Sequence, residues 1–381
     1  MSLYIQYGKQ LIEEDDIRAV IEALQSDFLT TGPKVKEFEA CLCAETGAPY
    51  AAALANGTAA LHAACFAAGI EKGDEVITTP MTFAASANAV LYCGAVPVFA
   101  DIDANTYNLD PVAVEKKITK KTKAIIAVDF TGQPCDMDAL GAIARKHNLI
   151  LIQDAAHSLG AKYQNKPVGS LADLTTFSFH PVKPITTGEG GAVVCADGGC
   201  YEKLLLFRNH GITRDPGRWE SGGKESQGGW YYEQQELGFN CRLSDIHAAL
   251  GVSQLKKLAG FLKRRKEIVK QYNEAFKDLG KITVPFLADG CDSAWHLYVV
   301  KLDKSLDRKE IYERFQENGI GVNVHYIPVY WHPYYQKLGY KKGICPVAEA
   351  LYHSILTLPL HQGMSDADVV RVIEVTRAFC A

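Results

Sequence analysis

The apolar residues of this chain recur at two spacings that alternate along its first half, one suited to helices and the other to strands. Behind the acidic run Glu13-Glu-Asp-Asp16, residues Ile17, Val20, Ile21 and Leu24 fall at helical intervals. They predict a helix with acids in its first turn, where the dipole favours negative charge. Thr30-Thr-Gly-Pro33 interrupts the pattern as a turn, and Val35, Phe38 and Leu42 predict a second amphipathic helix. A short apolar run, Tyr50–Leu54, precedes Asn56-Gly-Thr58 and an alanine-rich helix. From there β-prone runs alternate with helices: strands over 75–79, 96–100 and 123–128, a helix over Met137–His147, then strands over 149–154, 174–179 and 190–195. Such alternation predicts an α/β fold around a largely parallel sheet.

The second half changes rhythm. Residues 238–251 lead into a long helical region through about residue 278. Beyond Val284, a strand over 294–301, a helix over 308–318, a strand over 321–326 and helices near 346–355 and 366–379 predict a smaller α/β lobe. The expected division is a large domain with N-terminal helices over 1–240, a helical connection over 241–283 and a small C-terminal domain over 284–381. A chain of 381 residues is long enough for both cores. Between the halves, Ile212–Glu236 concentrates glycine, charge and aromatics (Trp219, Trp230, Tyr231, Tyr232), as either a mobile surface loop or a lid over a substrate does.

Composition narrows the class of partner. A net charge of −4 offers no basic surface for nucleic acid or for an anionic membrane. The uncharged stretch Ala51–Ile70 is long enough to cross a bilayer. It is mostly alanine, however, and Asn56, Gly57 and His62 break it, so a buried helix–turn unit is expected. Met1–Tyr7 lacks the basic region and apolar core of a secretion signal. The eleven cysteines include no C-x-x-C pair, which fits reduced thiols in a cytoplasmic protein better than a disulfide framework. Asp101-Ile-Asp103 reads as a turn, and no metal site is expected.

The candidate chemistry sits at two strand ends. Lys183 lies in a run that is uncharged until Glu189, behind the β-prone segment 174–179 and ahead of Gly188, Gly190 and Gly191. A tight glycine-rich turn can hold an ammonium partly desolvated, which lowers its pKa and makes it a nucleophile towards carbonyls. Asp154 closes the apolar run 149–154, in the way an open α/β sheet presents a carboxylate at its carboxyl edge. Pyridoxal phosphate needs such a pair: a lysine for its aldehyde and a carboxylate that keeps the pyridine nitrogen protonated.

Asp154-Ala-Ala-His157, Ser178-Phe-His-Pro-Val-Lys183 and Thr187-Gly-Glu-Gly-Gly191, in that order, resemble the DegT/DnrJ/EryC1/StrS family of sugar aminotransferases. The likeness runs from the Thr30 turn to Leu358-Pro-Leu-His361. It implies the type I, aspartate aminotransferase-like fold of pyridoxal phosphate enzymes, with the cofactor between large domain, small domain and the neighbouring subunit of a homodimer. The resemblance implies Lys183 as the catalytic lysine, Gly57, Thr58 and Ser178 at the cofactor phosphate, and Phe83 stacked on its ring. It implies Asp154 at the ring nitrogen, His157 at the phenolic oxygen, and Asn240 reaching the phosphate in the adjacent subunit's site. Thr31, His180, Arg242, His325 and Tyr326 are implied on the substrate side.

Within the family, Phe177-Ser-Phe-His180, Lys183-Pro-Ile-Thr-Thr187 and Tyr163-Gln-Asn-Lys166 are most similar to the branch of pseudaminic acid biosynthesis. That implies transfer of an amino group from L-glutamate to C4 of a UDP-linked 4-keto-6-deoxy-N-acetylhexose. Phe130-Thr-Gly-Gln-Pro134 looks like the broader family, which keeps another UDP- or dTDP-linked keto sugar open. Two rival functions fit the same fold: a related sugar dehydratase, which carries His in place of the lysine, and a non-catalytic binding protein. The Lys183–Asp154 pair argues against both.

Overall fold

A computed structural model describes residues 4–223 and 228–380. Seven strands form the main sheet: β1 (Tyr50–Leu54), β2 (Glu75–Thr78), β3 (Val96–Phe99), β4 (Thr122–Val128), β5 (Ile150–Asp154), β6 (Leu174–Ser178) and β7 (Gly191–Cys195). Their spatial order is β1-β7-β6-β5-β4-β2-β3. The run from β3 to β6 is parallel, and β7 alone points the other way, pairing antiparallel with β6 and β1. Helices cover both faces, so the central strands are apolar on both sides. In β4, Ala124, Ile126 and Val128 enter one core cluster while Ile125 and Ala127 enter another.

The uncharged stretch 51–70 divides into β1 and the helix Gly57–Ala67. Ala60, Ala63, Ala64 and Ala67 are buried, and their small side chains let this helix lie close to the strands. Among the described residues no helix is long and apolar enough to cross a membrane. The expected long helical region is two helices, Asp245–Leu255 and Leu258–Phe276. In Ile212–Glu236, residues 224–227 lie outside the described residues. The remainder carries a two-residue ladder between Ile212–Thr213 and Glu233–Gln234.

A second, antiparallel sheet joins β8 (Ile282–Thr283), β9 (Tyr298–Leu302) and β10 (Ile355–Leu358). It shares a core of Tyr272, Tyr298, Phe315 and Val372 with the helices that flank it, and Ile5 reaches into the same core and bridges to Ile320. Two strand expectations are corrected here. β9 begins at Tyr298, not at Ala294, because the backbone N–H groups of Ala294 and Leu297 donate to the carbonyls of Gly132 and Thr131 in a loop. Residues 321–326 do not form a strand: Asn323 alone bridges to Thr357, and the chain then turns towards the carboxyl edge of the main sheet. The partner that β9 takes is β10, which the sequence pattern did not predict as a strand.

Candidate active site

Parallel strands deliver their carboxyl ends to one side of the sheet, and the loops there enclose a cavity of about 740 Å³, within the usual size of a small-molecule site. Gly57 and Thr58 reach it behind β1, and Phe83 behind β2. Asp154 and His157 come from the end of β5, and Ser178, His180 and Lys183 from the end of β6. His325 and Tyr326 arrive from the segment that failed to become a strand.

Lys183 and Asp154 face this cavity together. Lys183 keeps part of its surface open to it, while packing desolvates the ammonium and lowers its pKa from 10.5 to about 8, the charge of Asp154 opposing that shift. Asp154 is 4% exposed, and burial holds its carboxyl above the usual range against the pull of the Ser86 hydrogen bond, the Ala156 N–H and the Lys183 charge. Ser86 donates to Asp154 Oδ2 at 2.7 Å and stands 2.7 Å from the Thr82 hydroxyl. Because the single Ser86 proton goes to the carboxylate, Thr82 is the donor to Ser86. The carboxylate is thereby pinned in one orientation.

The residues present fit pyridoxal phosphate. A Cβ on Gly57 would fall 2.8 Å from Ser178 Cβ, and one on Gly191 would fall 2.7 Å from the Gly57 nitrogen. Only glycines let these three strand ends close into a cradle. The cradle sits at the N-terminus of Gly57–Ala67, capped by Asn56 through Ala59 N, where backbone N–H groups and the dipole favour an anion. Phe83 is 64% exposed at the mouth, a flat apolar face with room for a ring against it. The carboxyl of Asp154 lacks the full countercharge its burial requires, and a protonated ring nitrogen supplies one. His157 has a buried Nδ1 without a partner, while its Nε2 lies 3.2 Å from the Tyr326 hydroxyl.

Of the residues expected on the substrate side, His325 is fixed by Thr357 Oγ1 at 2.9 Å, and burial lowers its pKa to about 3, so it stays neutral. His180 is exposed at the cavity edge. Thr31, Asn240 and Arg242 do not line this cavity. The Thr30 turn is tied to the other two through the Thr30–Ser244 bridge and through Asp245, which accepts from Gly32 N and Lys34 N. Asn240 is exposed and bridges to Asn209, whose side chain takes a 2.7 Å hydrogen bond from Arg242.

Sequence reasoning missed Ser86, His296, Tyr7, Asn323 and Glu189, all of which line the cavity. For Ser86 a signal existed: Thr82 and Ser86 are four apart at a helix start, a spacing that brings hydroxyls together. His296 sits in an apolar run with nothing to distinguish it from a core histidine.

The model of the DegT/DnrJ/EryC1/StrS aminotransferase family matches residues 10–377. The spore coat polysaccharide biosynthesis protein SpsC of Bacillus subtilis is 43% identical over 379 residues, covering 98% of this chain and 96% of SpsC. The UDP-4-amino-4,6-dideoxy-N-acetyl-beta-L-altrosamine transaminase of Campylobacter jejuni is 42% identical over 369 residues, 96% of this chain and 94% of that one. Helicobacter pylori PseC, an aminotransferase involved in the biosynthesis of pseudoaminic acid, superposes with a TM-score of 0.91 at 36% identity, with 99% of each chain covered. With a match over nearly its whole length and a lysine–carboxylate pair in the cavity, this chain belongs to the DegT/DnrJ/EryC1/StrS aminotransferase family.

Proposed function

We propose that this chain moves an amino group from L-glutamate to C4 of a UDP-linked 4-keto-6-deoxy-N-acetylhexose, on the way to pseudaminic acid or another surface polysaccharide, in the cytoplasm. The observation that carries the reading is Lys183, its pKa lowered to about 8, facing Asp154 in one cavity of a chain 42% identical to the Campylobacter transaminase. The cofactor is pyridoxal phosphate, which when bound supplies a carbonyl for the lysine and an electron sink for the donor's α-carbon.

The chain's own residues then divide the remaining work. Lys183 Nζ would hold the cofactor's aldehyde carbon and, as a free amine, would take the proton from the donor's α-carbon as general base and deliver it to the cofactor as general acid. Asp154 keeps the ring nitrogen protonated. Gly57, Thr58 and Ser178 hold the phosphate, and Phe83 covers the ring face, where an aromatic adds contact area at little entropic cost. His157, His180, His325 and Tyr326 orient the groups on the far side. The cavity lies between the large domain over 1–240 and the small domain over 284–381 in this reading.

A second copy of the chain completes the site. Ile17, Ile21, Leu24, Phe28 and Leu29 form exposed apolar surface near the N-terminus, of the kind that marks an interface. Thr31, Asn240 and Arg242, absent from their own cavity, serve the neighbour's. A mixed dimer of one Lys183→Ala and one Asn240→Asp subunit, isolated with two tags, is expected to regain up to about half the wild-type activity, since two-fold symmetry leaves one of its sites intact. Each homodimer should be nearly inactive. No recovery in the mixed dimer would remove Asn240 from the partner's site.

The 43% identity to a spore coat polysaccharide protein favours a second reading in which the acceptor is a different UDP- or dTDP-linked keto sugar. A panel of UDP- and dTDP-4-keto-6-deoxy sugars with L-glutamate, followed by mass analysis, separates the two. Amine product from the UDP-N-acetyl substrate alone supports the first reading; product only from another sugar supports the second; none from any member sinks both.

A further inference from the structure

His296 lines the cavity, and its placement is built from residues far apart in sequence. Its Nε2 lies 3.5 Å from Lys183 Nζ, it is 4% exposed, and its ring centroid is 4.3 Å from that of His157. Arg265, fully buried, donates to the carbonyls of Trp295 at 3.2 Å, His296 at 3.3 Å and Leu360 at 2.9 Å. On the other side, Ala294 N and Leu297 N donate to Gly132 and Thr131. A Cβ on Gly132 would fall 2.8 Å from the His157 carbonyl oxygen and 2.9 Å from His296 N. This glycine therefore lets the two histidine-bearing segments close on each other. Nδ1 of His296 is buried without a partner, so the contact with Lys183 is the polar contact its ring makes among the described residues.

We propose that His296 is a positioning residue for Lys183: its Nε2 accepts a hydrogen from the Lys183 ammonium and holds that group in the cavity while it is not joined to the cofactor. The proposal rests on the functional reading above. The direction of the bond follows from valence. An ammonium has three donors and no lone pair, so against protonated Lys183 Nε2 must accept, and Nδ1 must carry the imidazole proton. Burial, with the neighbouring Lys183 charge, holds the His296 imidazole well below its usual range, so the ring stays a neutral acceptor. The contact therefore favours the lysine that has taken a proton and keeps the released side chain from swinging towards solvent.

The titratable groups that line the cavity with Lys183 are Tyr7, Asp154, His157, His180, Glu189, His296, His325 and Tyr326, with Arg265 behind His296. The test is the pH dependence of Lys183 acetylation by acetic anhydride in the full chain freed of cofactor, read by mass spectrometry of its peptide. Only the neutral amine reacts, so the rate rises through the lysine's pKa. In His296→Leu one hydrogen bond to a charged group is lost, and the midpoint should fall by about one pH unit. His296→Gln, whose amide oxygen reaches the Nε2 position, should restore it, whereas His296→Asn, which stops short, should not. In the loaded enzyme His296→Leu should lower kcat roughly tenfold with the donor KM unchanged. Equal midpoints in wild type, Leu and Gln would overturn the proposal even in fully active enzyme; if the Leu protein does not fold, equal midpoints for Gln and Asn do the same. Capture of pyridoxal phosphate by wild-type Lys183 is scored separately. Its failure would reject the functional reading, while a Leu-specific shift would still establish the His296–Lys183 contact.

Discussion

Lys183→Ala protein is expected to bind pyridoxal phosphate and to turn over at no more than about a thousandth of the wild-type rate, the scale of a lost general acid–base group. The phosphate cradle and Phe83 remain, so binding weakens without vanishing. In wild type, borohydride should fix the cofactor on the peptide that contains Lys183. The pH dependence has a definite sign. Burial disfavours the ammonium and lowers the lysine pKa from 10.5 to about 8, and the neutral amine is the form that attacks. At pH 7 a group with pKa near 8 is neutral in roughly one molecule in ten, against roughly one in three thousand for a solvated lysine. The capture rate should therefore climb with pH and level off above about 8, well before an ordinary lysine would. Label on a different lysine, or a fully active alanine variant, would remove Lys183 from the chemistry.

Asp154→Asn should reduce turnover by about 10²–10³-fold, as loss of one preorganised electrostatic contact does, while affinity for pyridoxal phosphate changes only a few-fold. The substitution keeps the size: with the amide oxygen at the Oδ1 position it still accepts from Ala156 N–H, while Ser86, which donates to Oδ2 in the wild type, can turn its proton towards Thr82 and accept from the amide nitrogen. What it removes is the charge that keeps the ring nitrogen protonated when the carbanion forms. A second measurement is independent of turnover. Asp154 raises the pKa of Lys183 against the effect of burial, so without the carboxylate the midpoint for cofactor capture should move to lower pH. Near-normal turnover together with an unmoved midpoint would require the carboxylate's role to be assigned elsewhere.

These two residues were legible in the sequence because each sits where a strand pattern stops. An apolar run that closes on Asp154, and a β-prone run that yields to a lysine among glycines, are local events along the chain. Gly57, Thr58 and Ser178 came only from the family resemblance, since small residues and hydroxyls at strand and helix ends are common; the structure places all three on the cavity lining. His296 was not legible, and the four-residue spacing of Thr82 and Ser86 could mark paired hydroxyls but not what they face. The role of Ser86 depends on Asp154, which lies on another strand, and a hydroxyl early in a helix looks the same whether it faces a carboxylate or water. His296 depends on still more: Arg265 from a helix and Gly132 from a loop converge on its backbone, and the Leu360 carbonyl beyond β10 holds the same Arg265 guanidinium.

The segment 321–326 shows the same limit from the other direction. Its pattern predicts a strand, yet His325 and Tyr326 line the cavity, and β10 takes the place beside β9. Strand propensity records how a side chain suits a half-buried pleated surface; it does not record whether a neighbouring strand is available. The sequence by itself determined the alternation of elements, the parallel sheet, and the lysine and carboxylate at its carboxyl edge, because period and punctuation are properties of adjacent residues. The tertiary structure alone decided which hydroxyl orients Asp154, which imidazole meets Lys183, and that Thr31, Asn240 and Arg242 stay outside their own chain's cavity. Those are contacts between residues distant in sequence, created by packing, and no spacing along the chain encodes the distance between them.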